Sequence, residues 1–141
     1  MNSKDMLTSV LHTVQMGQSG IQSVQNQAVR PELKKELRNQ LEQYDAIETK
    51  AKQLAKENNW TLSDIPQSVV KMSDLMSKVR LIGGERDSKI AGMLIQGNTR
   101  GMILGMKNLR QGKNADQDVR KLAEKLITQE RQSIENTQRF L

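Results

Sequence analysis

Two carboxylates stand where this 141-residue chain could do chemistry, since each falls inside the apolar arc of a stretch with helical periodicity. Glu48 shares its arc with Leu37, Tyr44, Ala51 and Ala55; Glu130 lies near the centre of the arc of Val119, Leu126 and Ile134, with Ser133 and Thr137 beside it. Inward carboxylates in a helical bundle can hold iron or another divalent metal, and a buried carboxyl with a raised pKa can act as acid or base. The partners such chemistry needs are missing. The single histidine, His12, projects away from the apolar stripe of its helix and reads as a solvated residue; one histidine does not build a zinc site. Cysteine is absent, which excludes thiolate ligands, a thiol nucleophile and disulfides. Gly83-Gly84 follows a helical stretch rather than a strand and lacks the P-loop pattern. No nucleophile or oxyanion donor accompanies either glutamate, so no catalytic residue and no cofactor are expected. The simplest role for Glu130 is a hydrogen-bonded layer with Tyr44 and Gln18, the phenol donating to the carboxylate, because an unpaired buried polar group costs about 1 to 3 kcal/mol.

The elements that position these residues read as helices throughout. Leu7, Val10, Leu11, Val14, Ile21, Val24 and Ala28 predict a first helix over 5–29. Pro31 suits the first turn of a second, carried by Leu33, Leu37, Leu41, Tyr44, Ile47, Ala51 and Leu54 as far as Asn58 and Asn59. Val69, Met72, Met76 and Val79 mark a short helix over 67–82, stopped by Gly83 and Gly84. A fourth runs over 86–111 to a C-cap at Gly112; Asn114 with Gln117 reads as a capping box for the fifth. In the fourth helix Gly97, Gly101 and Gly105 recur every four residues, within an arc of about 80°, among methionines, isoleucines and leucines. Such a helix must be covered on more than one side, and is expected to be the central packing element.

A helix of about 25 residues spans roughly 38 Å and the short one roughly 24 Å, so the connector can travel the length of a bundle. The expected fold is all-α, a single domain over 1–141 of two long antiparallel hairpins joined by a crossover containing the short helix; a five-helix up-down array is the alternative. If the hairpin turns lie near residues 30 and 113, Glu130 is level with Tyr44 and Gly97, and Glu48 with Leu11 and Leu104. The two glutamates are then about 7 Å apart along the axis, too far to bridge a metal pair.

The helix order and lengths resemble the ferritin-like superfamily, including the bacterial branch that contains spore-coat proteins. That superfamily places a Glu on each of two helices and Glu-x-x-His on the other two. Glu48-x-x-Ala51 and Glu130-x-x-Ser133 match the paired motifs without either histidine; Gln18 and Gly97 or Gly101 stand where the remaining glutamates would be. The resemblance therefore implies a stripped relative in which Glu48 and Glu130 are the remaining metal candidates.

The net charge of +6 permits attraction to nucleic acid, anionic lipid or an acidic partner. Three aromatics, Tyr44, Trp60 and Phe140, leave few platforms for stacking bases. No run of about 18 apolar residues is present to span a membrane, and the N-terminal stretch reads as an amphipathic helix, so the cytoplasm is the expected location. The leading functional reading is a non-catalytic helical protein acting through protein contacts, as a homo-oligomer, most simply a dimer packed along Gly97, Gly101 and Gly105. The alternatives are a degenerate metal-binding or oxidative protein, and a basic helical protein associated with nucleic acid.

Overall fold

The computed structural model describes all 141 residues of the backbone and every side chain except those of Val79 and Arg80, so the expected apolar position at Val79 lies outside the described residues. Five helices follow in order: α1 (Ser3–Val24), α2 (Pro31–Glu57), α3 (Gln67–Arg80), α4 (Arg86–Gln111) and α5 (Gln117–Thr137). Short 3₁₀ turns follow α1 at Gln25–Gln27 and α5 at Gln138–Phe140. No strand occurs among the described residues.

Local chemistry sets these boundaries. The Asn2 side chain caps α1 by accepting from the Asp5 N–H at 2.8 Å. The helix ends five residues before the expected Val29, passing through the 3₁₀ turn into extended backbone at Ala28; Arg30, which precedes Pro31, is extended as that position favours. The N–H groups of Val29 and Arg30, freed from helical bonding, donate to the Asp87 carboxylate at 2.8 and 3.0 Å, which ties this turn to the start of α4. The α5 capping box is not formed. The N-cap is Asp116, whose N–H donates to Ser3 Oγ at 2.8 Å, and residues 112–115 close a turn instead. Arg120 from α5 reaches back to donate to the Leu109 and Gly112 carbonyls at 2.9 and 2.6 Å, capping the negative end of α4. Past the end of α3, Gly83 and Gly84 take φ of 71° and 74°, a left-handed turn that glycine adopts without a Cβ penalty.

Side-chain pairings fix how the helices run. Gln15 and Gln18 of α1 meet Glu48 and Asp45 of α2; Ser9 of α1 meets Asn108 of α4, at the opposite end of these helices from the tie to Asp87. Gln40 and Tyr44 of α2 meet Thr137 and Glu130 of α5. Each of these pairs is antiparallel. Residues 58–85 therefore pass from one end of α1 to the other, and α3 packs along α1 on the way. The core is continuous through α1, α2, α4 and α5, with Met6, Leu7, Leu33, Leu37, Ile47 and Ile90 among its fully enclosed side chains.

The expectation that α4 is the central element is corrected. α1 packs against all four other helices, whereas Ile103, Leu104 and Met106 of α4 remain 43, 44 and 43% exposed. Helical periodicity identified apolar side chains on nearly every side of α4, but the neighbours enclose only its inner half, around Ile90, Ala91, Leu94, Asn98 and Gly101.

Candidate binding groove

Between α1, α3 and α4 lies a half-open groove of about 990 Å³, at the upper end of the range for small-molecule sites. Its walls are mostly apolar: Met16 of α1, Val69, Met72 and Met76 of α3, and Met93 and Leu104 of α4. Val69, Met72 and Met76 are 39, 60 and 47% exposed, so the apolar side chains that α3 turns to the groove are only partly covered. Polar side chains make the floor: Gln40 and Tyr44 from α2, Asn98 from α4 and Glu130 from α5, each at least nine-tenths buried.

Glycines let this floor form. A Cβ on Gly17 would lie 2.5 Å from two carbons of the Tyr44 ring, and one on Gly101 would lie 3.0 Å from Thr13 and 3.3 Å from the Glu130 carboxyl. Only hydrogen at these positions lets the phenol slide beneath α1 and the carboxyl beneath α4. Gly105 is used in the same way, since a Cβ there would meet Ile127 of α5 at 2.8 Å. Gly20 and Gly97 differ: both line the groove, and a Cβ on either would meet nothing within 4 Å. Glycine in a helix interior costs about 1 kcal/mol relative to alanine. No contact among the described residues requires that sacrifice at Gly20 or Gly97.

The Tyr44 hydroxyl donates to Glu130 Oε1 at 2.8 Å and lies 3.2 Å from Asn98 Oδ1, so one proton serves two acceptors. Burial pushes the Glu130 carboxyl up from 4.5 to about 8, against the lowering effect of the Tyr44 hydrogen bond. The Tyr44 phenol is held well above 10, by burial first and then by the charge of Glu130 and their hydrogen bond. Gln40 Nε2 donates to Thr137 and Glu36 at 3.0 and 3.1 Å. Three floor atoms have no partner among the described residues: Gln40 Oε1, Asn98 Nδ2 and Glu130 Oε2. Buried polar atoms normally find one; all three belong to residues that line the groove, and each is itself enclosed.

The expected layer is thus present in part. Tyr44 donates to Glu130 as anticipated, but Gln18 is not with them: it donates to Asp45 and Glu48 at 2.8 and 3.3 Å on the half-buried seam between α1 and α2. Glu48 also accepts from Gln15 at 3.1 Å and lies 3.7 Å from the Lys52 ammonium. Glu48 and Glu130 therefore belong to separate networks with no partner in common. Among the described residues no group of three or more His, Asp or Glu is placed to hold a metal ion. His12, expected in solvent, is half-buried, and its Nε2 lies 2.8 Å from the Ser63 carbonyl, fastening the loop before α3 onto α1. Of the three glycines expected at a subunit interface, Gly101 and Gly105 make close approaches within the chain and Gly97 opens on the groove.

Gln40 and Asn98 are the floor residues that a search for inward charges passes over. Both were visible: Gln40 lies between Leu37 and Tyr44 on the α2 stripe, and Asn98 lies four residues after Leu94 and three before Gly101. An uncharged amide inside an apolar stripe is the signal.

No family model, curated protein or solved structure matches the chain.

Proposed function

We propose that the chain is a ferritin-like helical bundle with a non-catalytic binding role, and that the groove between α1, α3 and α4 is its working part, taking a small, largely apolar molecule. The helix order, the antiparallel pairings of α1 with α2 and of α4 with α5, and the passage of residues 58–85 along α1 support the ferritin-like arrangement. One observation carries the binding role: an apolar space of about 990 Å³ is floored by Gln40, Tyr44, Asn98 and Glu130, polar residues inside an otherwise apolar lining. Such a combination is what a ligand pocket needs, hydrophobic walls for affinity and a few polar groups for orientation. Glu130 by itself does not make a catalyst, since its one hydrogen-bonding neighbour is Tyr44, a group that stays protonated.

The test is titration with 1-aminoanthracene, a small apolar fluorophore that brightens when it leaves water. The parent protein is expected to bind it with one-to-one stoichiometry. Gly97→Leu, which adds a side chain into the open space at an exposed helical position, is expected to abolish binding while leaving the far-ultraviolet circular dichroism unchanged. Undiminished binding to the folded Gly97→Leu protein, or none to the parent, would overturn the proposal.

A second reading has its own support. Ile103 and Met106 leave an exposed apolar strip on α4, suited to contact with another copy of the chain. Sedimentation at high protein concentration tests it: a dimer is expected, and a strict monomer removes the reading.

A further inference from the structure

We infer that the outer face of α4 docks the protein on an anionic membrane surface, its cations meeting lipid phosphates while Ile103, Leu104 and Met106 enter the boundary between headgroups and acyl chains. The inference goes beyond the groove and does not rest on it.

The net charge is unevenly placed. By sequence α1, α2 and α5 each carry as many acids as bases, and so do the segments between helices taken together, whereas α3 has three bases to one acid and α4 five to one. The whole excess of six therefore lies on α3 and α4. After Asp87, α4 has no further carboxylate. Within residues 100–110, Arg100, Lys107 and Arg110 are interleaved with Ile103, Leu104 and Met106, and all six are exposed. At 100° per residue they fall in an arc of about 160°, opposite the inward residues Ile90, Leu94 and Asn98. No carboxylate among the described residues is paired with any of these three cations.

The face extends beyond this stretch. Lys89 stands about five turns before Lys107 at the same angle on the helix, about 27 Å along its axis, and its ammonium donates to the Ile82 carbonyl at 2.7 Å. The turn that carries Ile82, whose side chain is 74% exposed, is thereby held at the N-terminal end of the same face. Arg100 and Leu104 also line the groove, so the face borders its mouth.

Chemistry selects the occupant. Aliphatic side chains interleaved with cations are what an interfacial helix presents, the apolar groups leaving water while long basic side chains reach back to the phosphates. Self-association through Ile103 and Met106 competes for this strip, but a copy meeting it face to face brings three cations against three, a juxtaposition that costs affinity. Nucleic acid would meet the cations and leave the aliphatic groups in water, and α4 has no aromatic side chain on which a base could stack. The outer side of a helix is convex and offers a partner protein no pocket for an anchor residue; a membrane surface needs none.

The experiment sediments the intact protein with sucrose-loaded vesicles of phosphatidylcholine alone, or of equal parts phosphatidylcholine and phosphatidylglycerol, at physiological ionic strength. Saturable binding to the mixed vesicles is expected, at least about tenfold tighter than to the neutral ones. Each basic residue near an anionic surface adds about fivefold, so the triple variant Arg100→Gln, Lys107→Gln, Arg110→Gln is expected to lose about a hundredfold. Lys34→Gln, Lys35→Gln, Arg38→Gln removes the same charge from exposed positions of α2 and, with long-range attraction screened by salt, is expected to lose less than about fivefold. Ile103→Ser with Met106→Ser keeps the charge and is expected to lose at least about tenfold. All these positions are exposed, so circular dichroism is expected to match the parent. Absence of binding to the mixed vesicles overturns the inference, and a dimer in its place assigns the strip to a second copy. Equal losses in the two charge variants overturn it in favour of attraction by net charge alone, and undiminished binding of the Ile103→Ser, Met106→Ser protein overturns the insertion of the apolar strip. None of these results bears on whether the groove binds 1-aminoanthracene.

Discussion

Replacing Gly17 with alanine puts one methyl group against the best-defined contact of the floor. The added Cβ would lie 2.5 Å from Tyr44 Cε2 and Cζ and 2.9 Å from its hydroxyl oxygen. Neither α1 nor the ring can yield cheaply, because Tyr44 is 3% exposed and its hydroxyl is tied to Glu130 and Asn98. Overpacking of this kind costs about 1 to 3 kcal/mol. Pushing the phenol away also strips Glu130 of its hydrogen-bond partner, and an unpaired buried polar group costs about 1 to 3 kcal/mol more. Against this stands the gain of about 1 kcal/mol from alanine over glycine in a helix interior. The net expectation is a destabilisation of about 1 to 5 kcal/mol, or a melting temperature lower by about 3 to 15 °C in a chain of this size. Urea unfolding followed by circular dichroism at 222 nm measures it. Gly97→Ala is the matched control: its Cβ meets nothing within 4 Å, so only the propensity gain remains, a stabilisation of about 0.5 to 1 kcal/mol. A Gly17→Ala protein as stable as the parent, or more so, would refute the claim that glycine is required for the phenol to reach the floor.

The Glu130 carboxyl gives the protein a pH signature. Its folded-state pKa, raised to about 8 by burial, exceeds that of an unfolded glutamate near 4.5, so between these values the native state holds a proton that the unfolded chain has released. Its contribution to stability is therefore complete below about pH 4.5 and is lost as pH rises to about 8, by up to about 1.4 kcal/mol per pH unit. Glu130→Gln, which keeps an acceptor for Tyr44, is expected to flatten that slope in urea titrations run from pH 5 to 8; an unaltered slope would refute the assignment to this group. Asp87→Ala removes the acceptor of two backbone N–H groups at the α1–α2 turn, and a loss of about 1 to 3 kcal/mol is expected in the same assay. No loss would mean that water replaces the carboxylate there.

Where a residue acts on its own backbone, the sequence was legible. Pro31 opens α2, and Gly112 follows the last turn of α4, whose bounds agree with the reading at Arg86 and Gln111. Stripe positions also met as periodicity implies, so that Tyr44 on α2 and Glu130 on α5 are hydrogen-bonded. Features set by long-range contact were not legible. The N–H groups of the turn after α1 are taken by a carboxylate 58 positions away on α4, and α5 begins at Gln117 while the N–H before it is bound by Ser3. A run of glycines shows that something approaches closely without saying what. Gly101 serves Thr13 and Glu130, Gly105 serves Ile127, and Gly97 meets no neighbour among the described residues. The groove itself depends on where α3 packs along α1, a distance that no periodicity encodes.

The most direct measurement of the central claim is methyl NMR of the intact protein during titration with 1-aminoanthracene. Saturable shifts are expected in the Met72, Met76 and Met93 methyls, which line the groove, with the core methyls of Leu33 and Ile47 unmoved. Absence of saturable shifts, or shifts confined to the outer strip at Ile103 and Met106, would contradict it.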